Sequence, residues 1–384
     1  MRSRTLALLA LASTTAFAEP TARLAPGRLA WSESGRGAMR GITIGPIENA
    51  LHPGKGYGSE AYQRMLHEAR RMGASWVSIT PFGRVADLKP TGVDLTFEEP
   101  FPENRAAVKR AIEQAHAAGL KAMLVPHLWV ENGAWRAEID PGDDAAWQRW
   151  AAGYESFVLT WAKVAEEARA DLFSAGVELR SWVTTTRAPS FVEVIHAVRE
   201  VYTGPVTYAG NWDDVEDTVI LGELDLIGVN AFFPLTDKEG ADLQTLLGGG
   251  REVAKKMRAL SELWDKPVFF SEYGYTTRRD PALRPWEWPE HLTNVVVDEN
   301  AQADAYRGLL APMIDEPWFA GAFVWRAYSD PDDVSQEAEW GFNPRGKQAE
   351  LALRDAYAAW WAADGPRPLG RAFVTPAAEE VGIY

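Results

Sequence analysis

The stretch KPVFFSEYGYTT, from Lys266 to Thr277, places a short apolar run directly before the carboxylate of Glu272. An apolar run without polar alternation is typical of a strand that is covered on both faces, as in a parallel sheet. The stretch DLFSAGVELRS, residues 171–181, repeats this pattern, and Glu178 closes its apolar run. Two buried strands that each end on a glutamate are therefore the strongest chemical signal in the sequence.

On either side of these two runs, the chain from about Met39 onward alternates short apolar runs with amphipathic helical patterns. Stretches such as AYQRMLHEARRMG and SFVEVIHAVREVYTG have apolar residues at helical spacing and a glycine near the end. The eight predicted strands are residues 40–45, 75–81, 121–127, 172–178, 205–210, 225–230, 267–272 and 321–326. Eight strand–helix units predict an α/β fold, a single (β/α)8 TIM barrel.

A doubly wound open sheet would produce the same alternation of strands and helices. That fold usually carries a GxGxxG motif after its first strand. Here the glycine-rich segment GITIGPIENALHPGKG has neither that spacing nor the GK[ST] of a P-loop. The pattern therefore favours the barrel.

The N-terminal stretch MRSRTLALLALASTTAFAEP has two arginines, an apolar run and a small-x-small motif that ends at Ala18. This layout predicts a signal peptide over residues 1–18, because the apolar run is shorter than the roughly 20 residues of a membrane-spanning helix. We expect a secreted or periplasmic monomer without a membrane span. The predicted organisation continues with an N-terminal extension (19–38), the catalytic barrel (39–365) and a C-terminal tail (366–384).

Composition excludes several classes of function. The net charge of −15 would repel phosphate backbones, so nucleic acid is not an expected partner. The absence of cysteine excludes disulfides, zinc–thiolate sites and thiol nucleophiles. The 17 tryptophans are compatible with sugar binding, because aromatic faces provide rigid platforms for the apolar faces of sugar rings.

The two strand-ending glutamates are predicted to meet. In a parallel barrel the carboxyl ends of the strands form the catalytic face. Glu178 ends the fourth predicted strand and Glu272 the seventh, so both lie on this rim. Two carboxylates placed across a rim suit glycoside hydrolysis, in which one protonates the leaving oxygen and the other attacks the anomeric carbon or activates water. Alone, either glutamate would more often be a salt-bridge partner or a helix cap.

Other side chains near the strand ends are predicted to contact a substrate. They are His127 and Trp129 after the third strand, Asn211 and Trp212 after the fifth, Asn230 and Phe232 after the sixth, and Trp325 in the eighth. For His127, the sequence is equally compatible with a structural role and with a substrate contact. The acidic turns DPGDD and SDPDDVSQE lack the spacing of a calcium loop and are interpreted as solvated turns and helix caps, so no metal site is predicted.

The segments AGVELRS and FFSEYGY resemble the acid/base and nucleophile segments of clan A retaining glycoside hydrolases. Together with PHLWVENGAW, TYAGNWDD, LIGVNAFFPL, GAFVWR and GFNPRGKQAE, they are similar to glycoside hydrolase family 113, which acts chiefly on β-mannans. The resemblance spans roughly residues 41–363. It implies that Glu178 is the acid/base, that Glu272 is the nucleophile and that Trp325 forms the floor under the −1 sugar.

Two positions depart from the clan pattern. Many members have Asn before the acid/base, where this chain has Val177, and many have a Tyr after the sixth strand, where this chain has Phe232 and Phe233. Asn230, Tyr273 and Tyr275 are the candidate replacement donors, and Tyr275 is accordingly also expected to contact the substrate.

The resulting expectation is a secreted retaining β-glycosidase that acts on β-mannan-type poly- or oligosaccharides by double displacement, without metal or cofactor. Glu272 should be ionised while Glu178 carries the proton. One alternative is another β-glycan such as glucan or xylan. A second is an exo-mannosidase, in which the long loop with Trp286 and Trp288 closes one end of the cleft. A third, from a different class, is a non-catalytic carbohydrate-binding barrel.

Overall fold

A computed structural model describes residues 39–46, 51–96, 99–333 and 335–364. The predicted signal peptide, N-terminal extension and C-terminal tail lie outside these residues. Eight parallel strands close into a barrel in the order β1, β2, β4, β6, β7, β8, β9, β10. These strands are β1 (Met39–Gly45), β2 (Trp76–Ile79), β4 (Lys121–Leu124), β6 (Leu172–Val177), β7 (Val206–Asn211), β8 (Ile227–Asn230), β9 (Val268–Tyr273) and β10 (Phe319–Tyr328). The predicted TIM barrel is confirmed.

Two short strands lie outside the barrel. β3 (Phe82–Val85) follows β2, and β5 (His127–Val130) follows β4. They pair with each other in parallel and form a separate two-stranded sheet. This small sheet extends two barrel strands beyond the rim, and it carries His127 and Trp129.

The helices are α1 (Glu60–Arg71), α2 (Phe101–Ala117), α3 (Asp144–Ala168), α4 (Arg180–Val183), α5 (Ala188–Val201), α6 (Leu243–Trp264), α7 (Glu299–Leu310) and α8 (Gln348–Asp364). The prediction of a helix after every strand is wrong at β7. Its connection to β8 contains only the 3-10 turns Val215–Asp217 and Leu221–Glu223. This connection is short and rich in Asp and Glu, so it offers no apolar stripe of helical length to cover the barrel.

Side chains at the helix starts explain where several helices begin. Asp143, Asp242 and Asp298 precede α3, α6 and α7, and each carboxylate accepts a hydrogen bond from the backbone N–H three residues later, at 2.8 to 3.0 Å. Ser59 caps α1 in the same way. Such caps satisfy N–H groups that have no partner within the helix.

Apolar side chains form two layers around the strands. One cluster packs between the strands and the surrounding helices. A smaller cluster alternates with it along the strands and fills the barrel, with Phe323 against Trp76 and Phe269 at centroid distances of 6.2 and 6.1 Å. No helix in the described ranges has the length and hydropathy that a membrane span requires. The packed interior leaves the carboxyl ends of the strands as the place where a site can form.

Candidate active site

A cavity of about 650 Å³ opens at the carboxyl ends of the barrel strands. Its volume lies within the roughly 300–1,000 Å³ of typical small-molecule sites. Glu178 follows β6 and Glu272 lies near the end of β9, and both line this cavity. The structure therefore brings together the two glutamates that the sequence singled out.

The backbone at Glu178 explains how its side chain reaches the cavity. Glu178 has a φ of +51°, in the left-handed region that side chains other than glycine rarely adopt. Its N–H donates to the carbonyl of Ala209 at 2.9 Å, and the next N–H, of Leu179, donates to the Tyr208 hydroxyl at 2.6 Å. These bonds hold the chain in a tight turn where the strand ends.

Both carboxylate oxygens of Glu178 accept hydrogen bonds. Oε1 accepts from Asn230 Nδ2 at 2.8 Å, and Oε2 accepts from Trp135 Nε1 and Arg136 Nη2, both at 3.0 Å. The amide of Asn230 is oriented in turn, because its Oδ1 accepts from the Ser271 hydroxyl at 2.9 Å. Three N–H donors therefore fix the orientation of this buried carboxylate.

Glu272 has a different environment. Its side chain is buried, and its Oε1 lies 3.2 Å from Nε2 of His127. Burial, and then the negative charge of Glu178, raise the pKa of Glu272 to about 8, although Arg136 and Arg326 act in the opposite direction. Burial lowers the pKa of His127 well below its ordinary value, so this imidazole is neutral at pH 7.

The sequence led us to expect an ionised Glu272, whereas its raised pKa favours the protonated carboxyl at neutral pH. Burial beside His127 is the main cause, and it outweighs a hydrogen bond from Asn230 and the charges of Arg136 and Arg326, which lower the pKa of Glu272.

Most of the residues predicted to contact a substrate line the cavity. They are His127, Trp129, Asn211, Trp212, Phe232 and Trp325. Asn230 is fully buried and acts on Glu178 instead of facing the cavity. Tyr275 does not line the cavity, so the prediction that it contacts a substrate is corrected. Its hydroxyl donates to the carbonyl of Phe233 at 3.2 Å, and its ring packs against Tyr306.

Sequence reasoning missed several residues of the cavity wall, among them Phe82, Trp135, Arg136 and Phe342. Trp135 ends the segment PHLWVENGAW, in which only His127 and Trp129 were predicted to contact a substrate. Arg136 follows this segment directly. Their loop position carries no periodic signal that would assign a direction to either side chain. The long loop after β9 also contributes Trp286 and Trp288 to the cavity wall. The exo-mannosidase alternative places these two residues beside the cleft.

The first acidic turn is a solvated turn and a helix cap, as interpreted from the sequence, whereas the side chains of Asp330 and Asp333 in the second turn are buried. Asp140 accepts from the N–H of Gly142, and Asp143 caps α3. In the second turn, Asp330 and Asp333 both pair with Lys55. Across the part of the chain that the structure describes, no three His, Asp or Glu side chains are grouped so that they would hold a metal ion.

Comparisons with known proteins place this barrel in a family. The sequence model of Glycoside Hydrolase Family 113 matches residues 51–347, which is well over half of the chain. No curated protein sequence matches the chain.

Solved structures of β-mannanases share the fold. The family 113 β-mannanase of Alicyclobacillus acidocaldarius, in complex with ManMIm, has a TM-score of 0.72 and 24% identity, covering 84% of this chain and 98% of its own. A complex structure of a family 113 β-1,4-mannanase has a TM-score of 0.72 and 23% identity, covering 84% and 99%.

A barrel from another family is also similar. The family 5 mannosidase of Rhizomucor miehei has a TM-score of 0.60 and 12% identity, covering 88% of this chain and 98% of its own. At such identities these likenesses show the fold, whereas the family match extends over most of the barrel and both glutamates. The chain therefore belongs to glycoside hydrolase family 113 and is a glycoside hydrolase.

Proposed function

We propose that this protein is a retaining β-glycoside hydrolase that acts on β-mannan-type poly- or oligosaccharides by double displacement. One observation carries the proposal: Glu178 and Glu272, from strand ends far apart in the sequence, line the same cavity. The aromatic residues of the wall, such as Trp129, Trp212 and Trp325, suit the apolar faces of sugar rings.

The two glutamates take different roles in this mechanism. Glu272 attacks the anomeric carbon while Glu178 gives its proton to the leaving oxygen, and Glu178 then takes a proton from the water that releases the sugar. The first step uses the arrangement with the proton on Glu178. That arrangement and the one with the proton on Glu272 contain the same number of protons, so pH does not change the ratio between them.

Mannan is proposed on the basis of the family and its relatives. The chain belongs to family 113, and the two family members described above are named β-mannanases. Glucan and xylan remain the enzyme alternatives. Hydrolysis rates on mannan, glucomannan, xylan and β-glucan rank these substrates, and a preference for xylan or β-glucan would contradict the mannan proposal.

Alanine variants of both glutamates test the mechanism. Glu272→Ala should abolish turnover of mannan and of an activated aryl β-mannoside, because both need the nucleophile. Glu178→Ala should lower turnover of mannan by about 10²–10⁴-fold, with a smaller loss on the activated substrate. Glu262→Ala, an exposed position on α6, is the control. Near-normal rates in both cavity variants would rule out the mechanism.

The loop between β9 and α7 supports a second candidate, action on short chains or chain ends. Trp286 stacks on Trp212 at 5.2 Å and 20°, and Trp288 packs against Phe342 at 6.2 Å. The indole of Trp340 donates to the carbonyl of Pro289 at 3.1 Å, which ties the loop to the segment after β10. These contacts form an aromatic wall on one side of the cavity.

Product sizes from a defined β-1,4-mannohexaose distinguish the two modes of action. If the wall closes the cleft, the wild type releases one short product, and Trp286→Ala or Trp288→Ala broadens the product range. A mixture of products from the wild type, unchanged in both variants, would favour internal cleavage.

We also propose that the protein is exported. The support is the arrangement of Arg2 and Arg4, the apolar run and the small-x-small motif that ends at Ala18. N-terminal sequencing of protein made with its full leader should find Glu19 as the first residue. An intact leader on the mature protein would contradict export by this route.

A further inference from the structure

The hydrogen bonds of Glu178 are distributed unequally between its two oxygens. Oε2 accepts two N–H donors, Trp135 Nε1 and Arg136 Nη2, each at 3.0 Å. Oε1 accepts one donor, Asn230 Nδ2 at 2.8 Å. Each carboxylate oxygen offers about two lone-pair sites. The described donors therefore occupy both sites of Oε2 and leave one site on Oε1.

We propose that Trp135 and Arg136 are positioning residues that saturate Oε2 of Glu178, so that Oε1 is the oxygen that carries the catalytic proton. This inference rests on the proposed function, in which Glu178 is the acid/base. A proton on Oε2 would have to displace either the indole N–H of Trp135 or a guanidinium N–H of Arg136, and both groups are partly buried in the cavity wall. A proton on Oε1 displaces nothing.

The two donors are held in place by their own neighbours. The guanidinium of Arg180 lies 4.7 Å from the ring centroid of Trp135. Arg180 is held in turn, since its Nε donates to Asp214 at 2.6 Å and its Nη2 to Asp213 at 2.5 Å. Arg136 is mostly buried and also donates to the carbonyl of Leu128. Because their neighbours hold Trp135 and Arg136 in place, these two donors orient the carboxyl of Glu178 better than mobile surface groups would.

The proton transfers balance as follows. In the first step the proton on Oε1 of Glu178 passes to the glycosidic oxygen, the bond from that oxygen to the anomeric carbon breaks, and Glu272 bonds to this carbon. The new charge on Glu178 is stabilised at Oε2 by the N–H groups of Trp135 and Arg136. In the second step a water proton returns to Oε1, the water oxygen bonds to the anomeric carbon, and Glu272 is released as a carboxylate.

Leaving-group dependence separates positioning of an acid from a general structural role. Phenyl and 2,4-dinitrophenyl β-mannobiosides differ in the protonation that the leaving oxygen needs. Trp135→Phe keeps an aromatic ring beside Arg180 but removes the indole N–H that donates to Glu178. Arg136→Gln removes the charged guanidinium group. For both variants kcat/KM on the phenyl substrate should fall at least about tenfold more than on the dinitrophenyl substrate, a part of the full acid–base contribution.

Three further variants complete the test. Arg136→Lys keeps a positive charge but lacks the planar guanidinium group. Its kcat/KM on the phenyl substrate should therefore lie between those of the wild type and Arg136→Gln. Arg326→Gln removes a cavity-lining arginine that contacts Trp325, Trp288 and Tyr328 and lowers the pKa of Glu272. Because it acts on Glu272, which both substrates need, this variant should affect both substrates alike. Glu178→Gln reports on the acid/base role itself.

Each outcome has a defined meaning. Equal losses on the two substrates in Trp135→Phe and Arg136→Gln, or no loss at all, would overturn the positioning role while a selective loss in Glu178→Gln preserves the proposed function. Wild-type turnover of the phenyl substrate by Glu178→Gln would overturn both. Should Arg136→Gln not fold, as thermal unfolding would show, Trp135→Phe alone decides.

Discussion

At the scale of single residues, Glu272 shows how a buried carboxyl in the cavity opposes stability. Its carboxyl is buried, and its pKa is raised to about 8, largely by that burial. A carboxyl whose pKa is higher in the folded than in the unfolded state favours folding less as pH rises between those two values. The cavity therefore holds this carboxyl at a cost in folding free energy that grows from about pH 4.5 to pH 8.

Replacing this carboxyl by an amide should reveal the cost. Glu272→Gln should leave stability nearly unchanged below pH 4.5, and should raise the free energy of unfolding progressively toward pH 8, by on the order of 2–4 kcal/mol. The amide of Gln retains a possible donor for Nε2 of His127, 3.2 Å from Oε1 in the wild type. Thermal unfolding measured from pH 4 to 9 provides the test.

The same experiment needs a surface control. Glu262 is exposed on α6, so Glu262→Gln should show no comparable dependence on pH. A gain in Glu272→Gln that is the same at pH 4.5 and pH 8 would show that titration of this carboxyl is not its source.

At the scale of elements, α6 and α7 approach each other closely at glycines. A Cβ on Gly250 would lie 2.0 Å from the backbone oxygen of Gly308, and one on Gly308 would lie 2.8 Å from Cβ of Leu246. Backbone oxygen atoms cannot yield as a flexible side chain does. The GGG run at residues 248–250, which lowers helix propensity, is thus explained in part by helix packing.

Two alanine substitutions in this run should have opposite effects. Gly250→Ala should lower the free energy of unfolding by about 1–3 kcal/mol through overpacking. Gly248→Ala should raise it by about 0.5–1 kcal/mol, because alanine is the better helix former, and the nearest atom to its Cβ, on the side chain of Arg251, is 3.8 Å away. Thermal denaturation of both variants is the measurement, and equal effects would contradict the packing argument.

At the scale of the whole molecule, the barrel interior joins strands that are distant in sequence. Phe323 on β10 contacts Trp76 on β2 and Phe269 on β9, and its ring occupies the space where a Cβ of Gly41 on β1 would lie. One side chain therefore links four strands across the closure of the barrel.

Removing this ring should destabilise the entire barrel. Phe323→Ala should lower the free energy of unfolding by about 3–5 kcal/mol, because it leaves a cavity among buried side chains. Leu351→Ala, at a leucine that is 48% exposed, should change it by less than about 0.5 kcal/mol. Chemical denaturation compares the two variants, and a loss at Phe323 no larger than at Leu351 would contradict the role assigned to the ring.

Local pattern was enough to locate the eight strands and the glutamates at their ends. Apolar runs, helical spacing and strand ends are properties of short segments, so Glu178 and Glu272 were recognisable from their immediate neighbours. The missing helix after β7 is also consistent with local pattern, since the acidic connection has no apolar stripe of helical length.

The partners of these two side chains were decided by packing between segments far apart in the chain. Arg136 and Trp135 meet Glu178 across more than 40 positions, Tyr275 turns away to Tyr306, and Glu272 is buried beside His127. The direction of a side chain on a loop, and the burial of a charge, are set by atoms that no local pattern includes. For this reason the positions of the two glutamates were readable from sequence, whereas their hydrogen-bond partners were not.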